Sequence, residues 1–189
     1  MRRRSFLRAA TSAAPAAALA NLIAHPAFAG QAAPSSATAE LHPVAAGEDR
    51  FGALHSLGFS ELAFRVGTQE TGGNLFVIEH RNLLPGGPPM HMHLNQEEWF
   101  YVMEGQVEFV VGEKRLTLKA GESILAPRRI PHTFSSLVPS SHLLIGFAPA
   151  GKMEQYFREA AGNGALAATP EFMNRYDMQW VGPSPFHKA

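Results

Sequence analysis

From Leu57 onward, short runs of β-branched and aromatic residues alternate with Gly, Pro and Asn punctuation, the pattern of an all-β sandwich or barrel. The runs predict strands over 61–68, 74–81, 97–103, 107–111, 115–119, 123–126, 132–137 and 142–148. Gly72-Gly73, Gly86-Gly87, Gly105, Gly112-Glu113 and Gly121 supply the turns between them. Several strands are apolar on both parities: Trp99, Tyr101 and Met103 alternate with Phe100 and Val102. One face would line an interior, and the other needs a neighbouring segment or a second subunit, so a homodimer is expected. Eight strands of this length fit a jelly roll.

The period changes near the end of the chain. Residues 153–161 read as a helix, with Phe157 and Ala161 one turn apart, and a second short helix is expected from Pro170 to about Tyr176. Gly162-Asn163-Gly164 marks the hinge between them, and the pair is expected to pack across the barrel as a cover.

The start of the chain follows neither period. Arg3-Arg4-Ser5-Phe6-Leu7-Arg8 precedes an Ala-rich apolar stretch that ends in Ala27-Phe28-Ala29, a small-x-small cleavage signal. Residues 1–29 therefore read as an export signal, whose paired arginines resemble the twin-arginine type; the mature protein would be periplasmic or secreted and free of the membrane. Residues 30–56 read as a flexible linker and N-terminal arm, 57–148 as the barrel and 149–189 as a helical extension.

Composition narrows the chemistry. Removing the leader takes away four arginines and no acids, so 16 basic and 16 acidic residues become 12 and 16, a net charge of −4 over one domain of ordinary size. A mildly acidic domain without basic clusters has no electrostatic footprint for nucleic acid. The absence of cysteine excludes disulfides, thiolate ligands and cysteine nucleophiles, so any metal must be held by nitrogen and oxygen.

His91 and His93 are two residues apart, and alternate residues of a strand share a face, so both imidazoles can meet one ion. A tight turn brings a carboxylate at the start of the next strand over the same spot, and His132 arrives from a distant strand. Three neutral imidazoles with one carboxylate suit a single divalent Fe, Mn, Ni, Co or Zn, among which ligand type does not choose.

Two blocks join these residues to a known pattern. His91-Met92-His93, four residues, Glu98, six residues and Gly105 form the first; Gly121, Pro127 and His132 form the second. Together they resemble the two motifs of the cupin superfamily, with the leading glycine displaced to Gly86 or Gly87, Arg129 where that family usually has glycine, and Ser136 where it has asparagine. The resemblance implies a double-stranded β-helix with His91, His93, Glu98 and His132 as metal ligands. Glu97 stands at a spacing that is also allowed, but Glu98 restores the six-residue step to Gly105.

The flanks, from Asn74-Leu75-Phe76-Val77-Ile78-Glu79 through Pro88-Pro89-Met90 to Glu98-Trp99-Phe100-Tyr101-Val102-Met103-Glu104-Gly105, are similar to single-domain bacterial cupins of the quercetin 2,3-dioxygenase-like group. That likeness implies a dioxygenase acting on a small enolic or phenolic, flavonol-like substrate, with Glu98 as both ligand and general base. A metal-dependent isomerase or lyase, or a binding protein without turnover, uses the same cage. Strand parity puts Phe100 and Val102 on the inward face with Glu98, and Phe134 on that of His132, as candidate substrate-pocket residues. Glu79 or His80 is a candidate hydrogen-bond partner of a ligand imidazole, and Arg128 and Arg129 stand where a cation could guide an anion to the cavity mouth.

Overall fold

The computed structural model describes residues 42–186; the expected leader lies outside them. Eleven strands run β1 His55–Ser56, β2 Glu61–Val66, β3 Phe76–Leu83, β4 Met90–His93, β5 Glu97–Glu104, β6 Gln106–Val111, β7 Lys114–Lys119, β8 Ser123–Ala126, β9 His132–Ser136, β10 Ser141–Ala148 and β11 Met178–Gly182. Helices α1 Met153–Ala160, α2 Gly164–Ala167 and α3 Pro170–Asn174 lie between β10 and β11. A six-stranded sheet has the order β1-β2-β3-β10-β5-β8 and a five-stranded sheet the order β11-β4-β9-β6-β7, every pairing antiparallel. This is the jelly-roll architecture that the strand pattern predicts.

Period-two alternation builds the interior. In β5, Glu98, Phe100 and Val102 are buried while Trp99 and Met103 are exposed; in β6, Val107 and Phe109 are buried. Phe100, Phe109 and Phe134 meet edge-on or tilted at 5.1–6.0 Å between ring centres. Such pairs add to the stabilisation from burial of their area.

The helices bury an i, i+3, i+4, i+7 stripe of α1: Met153, Tyr156, Phe157 and Ala160. The buried partner one turn on is Ala160 rather than Ala161, which ends the helix in an extended conformation. Pro170 stands in the first turn of α3, as the sequence predicts, and Thr169 caps the helix by accepting from Phe172 N–H. The expected hinge folds instead into α2, whose start Asn163 caps through Leu166 N–H.

Three elements are absent from the strand list read off the sequence. β4 is a four-residue strand whose shared face follows from the histidine spacing, and β1 is only two residues long. The third, β11, returns from the helices to pair with β4, Met178 opposite His93 and Trp180 opposite His91. The part of the expected linker and arm that is described, from 42 on, is tied to β2 rather than free: buried Asp49 accepts from the N–H groups of Phe51 and Phe64, and Arg65 donates to the carbonyls of Val44, Ala45 and Glu48.

Candidate metal centre

Both sheets contribute to one cluster. β4 alternates half-buried and buried residues, which turns His91 and His93 to the same interior face, and β4 meets β9 with His91 opposite His132. Glu98 reaches the same point from β5 in the other sheet, where its backbone pairs with Phe147 and Ala126. One ligand atom from each of the four residues lies within 4.8 Å of all the others, and all four residues are buried. Glu97, the alternative carboxylate, faces out and binds Arg128 through both its backbone N–H (2.7 Å) and its side chain (2.6 Å). Strand parity separates the two acids, and only Glu98 is in the centre.

The outer nitrogens fix the orientation of two rings. His91 Nδ1 is 2.9 Å from the carbonyl of Pro89 and His132 Nδ1 2.9 Å from that of Ile130. A carbonyl oxygen only accepts, so each Nδ1 carries the proton and, in the neutral ring, each Nε2 presents a lone pair. The Pro88-Pro89 segment is itself held, since Thr133 donates to the Pro88 carbonyl at 2.7 Å. Gly87 makes that approach possible: its φ is +61°, and a Cβ there would stand 1.7 Å from the Phe134 carbonyl oxygen.

The donor set fits a cation. Glu98 Oε2 sits 2.7 Å from His132 Nε2 and 2.9 Å from His93 Nε2, the latter without hydrogen-bond alignment. Neither ring nitrogen of buried His93 has a hydrogen-bond partner. An acceptor facing an acceptor at 2.7 Å repels unless a positive charge lies between them. One added proton would satisfy a single pair and still leave His93 orphaned; a divalent ion serves all four ligands together. Burial, followed by the neighbouring His132 and His93, pushes the His91 imidazole down to about 3, keeping it neutral and free to ligate. Burial opposes the charge on Glu98, yet the adjacent imidazoles of His93 and His132 outweigh it and hold its carboxyl below the usual carboxylate range.

The centre opens on a cavity of about 460 Å³, with His91, His93 and Glu98 on its wall. Most of the remaining wall is apolar or aromatic: Phe59, Phe147, Tyr156, Phe157, Met178 and Trp180 among others. Volume and lining are those of a small-molecule site.

Several expectations about the surroundings need correction. Phe100, Val102 and Phe134 are all within 3 % of complete burial, but they belong to the barrel core, where Phe100 and Phe134 meet each other and Phe109, and do not line this cavity. Parity sends them inward as expected, but the space they enter is already filled. Much of the wall comes instead from the expected cover of C-terminal helices and from β11, which the sequence reading did not contain. Neither Glu79 nor His80 supports a ligand imidazole, because backbone carbonyls take that place; Glu79 faces Arg65 and His142, and His80 bonds Ser60. Arg128 is committed to Glu97. Arg129, at the position where glycine is usual, keeps the glycine-like backbone, with φ of +64° and its N–H bonded to the His93 carbonyl at 2.7 Å.

Comparison with known proteins bears on the fold. Among solved structures, the chain is similar to PAC13 from Streptomyces with uridine (TM-score 0.52, 15 % identity, covering 78 % of this chain and 99 % of that one). It is also similar to an RmlC-like cupin from Shewanella frigidimarina (0.50, 18 %, 61 % and 96 %) and to KdgF from Halomonas (0.50, 16 %, 58 % and 94 %). At such identities the likeness is one of fold. No curated protein matches the sequence. Residues 80–141, which hold all four ligands, match the family model described as the cupin domain. With the double-sheet barrel and its buried three-histidine, one-carboxylate cluster, this match supports a cupin domain over residues 80–141.

Proposed function

We propose that this protein is a mononuclear metal dioxygenase acting on a small enolic or phenolic, flavonol-like compound. The observation that carries the reading is the opening of a four-ligand cation site onto an aromatic-walled cavity of about 460 Å³. A divalent metal held there would supply Lewis acidity to an enol or phenol oxygen and, if six-coordinate, leave two positions beyond the four protein ligands. Phe147, Tyr156, Phe157 and Trp180 provide flat apolar surface for a ring system and exclude water from it. Glu98 takes the substrate's proton at Oε2, the oxygen that otherwise faces His93 and His132. The Nδ1–H groups of His91 and His132, held by the Pro89 and Ile130 carbonyls, keep both rings in place as that charge changes.

The test pairs metal analysis of the purified protein with oxygen uptake against a panel of phenols and flavonols. The expected result is one bound divalent transition metal and one O₂ consumed per substrate turned over. Product formation without oxygen would instead identify an isomerase or lyase, and saturable binding without product a carrier; either overturns the reading.

Two further proposals complete it. Export by the twin-arginine route with cleavage after Ala29 would place the mature protein in the periplasm or outside the cell, which N-terminal sequencing of protein from those fractions checks. The exposed Trp99, Met103 and Leu125 on the outer face of the six-stranded sheet support a homodimer, which sedimentation of the mature protein checks.

A further inference from the structure

The cavity wall contains one polar group that the metal reading leaves unused. Of its buried polar side chains other than the ligands, Tyr156 gives its hydroxyl to the Ala167 carbonyl (3.1 Å) and Ser184 gives its own to Gly86 (2.6 Å). His80 is different. It is 2 % exposed, and its Nδ1 is 2.9 Å from Ser60 Oγ, on the segment leading into β2. No group among the described residues bonds its Nε2, although that atom is not among the buried nitrogens sealed from any partner. With Nδ1 anchored to Ser60 and the residue on the cavity wall, Nε2 is the ring nitrogen left for a ligand to meet.

The ring is also fixed in the other directions. Phe59 stacks on its face, and Phe134 and Phe157 meet it edge to face, at 5.8–6.1 Å. Burial pushes its imidazole down to about 4, so the ring is neutral at physiological pH. A neutral histidine has one donor and one acceptor nitrogen. When Nδ1–H donates to Ser60 Oγ, Nε2 is an acceptor, and when Ser60 donates to Nδ1, Nε2–H is a donor; in an otherwise greasy wall an unmet polar atom of either kind is costly, and a ligand hydroxyl, which both donates and accepts, would answer it.

We propose that His80, positioned by Ser60, is a specificity-determining contact: its Nε2 hydrogen-bonds a hydroxyl of a polyhydroxylated aromatic ligand, remote from the oxygens that meet the metal. This rests on the dioxygenase reading for the metal-bound end of the ligand and adds the recognition of the other end. It selects polyphenols over aromatic enols that lack a second hydroxyl, because a site built to pair a hydroxyl loses that pairing when the group is missing.

The experiment measures binding by absorbance and fluorescence, anaerobically, in protein loaded with Co(II). Two probes are compared, quercetin and 3-hydroxyflavone, which share the metal-seeking enol and ketone but differ in the remaining hydroxyls. In the wild type both should bind, quercetin more tightly. His80→Phe keeps the ring among its aromatic neighbours and should weaken quercetin about tenfold while leaving 3-hydroxyflavone within twofold. Ser60→Ala, which frees the ring without removing it, should weaken quercetin about threefold. Co(II) content and its visible spectrum should be unchanged in both variants. Equal loss of the two probes, or loss of neither, overturns the role of His80 and leaves the dioxygenase reading intact. Failure of both probes to bind the Co(II)-loaded wild type overturns that reading and this inference with it.

Discussion

β9 carries two buried polar clusters that follow opposite rules. At its end, Ser135 and Ser136 belong to a closed network. Ser136 Oγ donates to the Val138 carbonyl and lies 2.7 Å from Ser141 Oγ, which also reaches the Gln106 carbonyl, and Ser135 Oγ accepts from Gly86 N–H while reaching the Ser136 carbonyl. At its start, His132 belongs to a cluster in which lone pairs face lone pairs and His93 has no partner. Burial is equally deep in both. A satisfied cluster stabilises the fold by itself, whereas an unsatisfied one is held together by the surrounding barrel and waits for a cation.

That contrast predicts different consequences at the two ends. The largest effect is expected for His132→Ala: metal content by mass spectrometry should fall below about a tenth of an equivalent, and oxygen uptake should vanish. The barrel should still fold, with unchanged far-ultraviolet circular dichroism. Retention of full metal occupancy would break the comparison at its functional end. Next, adding the metal at about a hundred times its dissociation constant should stabilise the wild type by about 2.7 kcal/mol, or roughly 5–10 °C in Tm, and should leave His132→Ala unmoved.

At the closed end the order reverses. Ser141→Ala removes the hydroxyl shared by Ser136 and Gln106 and should cost about 1–2 kcal/mol in urea denaturation, with metal content unchanged. Loss of metal in that variant would show that the two clusters are one unit.

Arg129 sharpens the loop that leads into β9. Arg129→Gly should relieve the positive φ and stabilise the protein by about 1 kcal/mol, less whatever the contact from Arg129 Nε to the Leu94 carbonyl contributes.

The smallest effect concerns an acid in donor-rich surroundings, the counterpart of Glu98. Burial opposes the charge on Glu154, but Thr68 N–H at 2.7 Å and Arg158 outweigh it and hold its carboxyl below the usual range. A depressed folded-state value means that the stability it contributes is present above the unfolded carboxylate range and is lost as the pH falls through the folded value. Glu154→Gln should cost about 1 kcal/mol at pH 7, and its deficit against the wild type should shrink under acid conditions.

Three members of the candidate ligand set were legible because their constraints are local. His91 and His93 share a face by strand period, and the six-residue step to Gly105 selects Glu98, whose parity turns it inward while Glu97 turns out to Arg128. The start of α3 was legible for the same reason, since Pro170 acts within one turn. β11 was not: a five-residue segment with one exposed parity becomes a strand only because β4 offers it an edge. Nor were the pocket residues. Phe100 and Phe157 are equally apolar in the sequence, yet one fills the barrel and the other walls the cavity.

By itself, then, the sequence determined the strand period, the turns and the nearness of His91, His93 and Glu98, because these depend on residues within a strand or its adjoining turn; His132 was singled out only by the resemblance of its block to a known motif. Tertiary structure alone decided that the carboxylate and the imidazoles come from opposite sheets, that β11 closes over the strand bearing His91 and His93, and that His80 faces the cavity with Ser60 behind it. Those outcomes depend on which surfaces meet across the fold. Packing sets them through shape and unpaired polar groups, which no local spacing encodes.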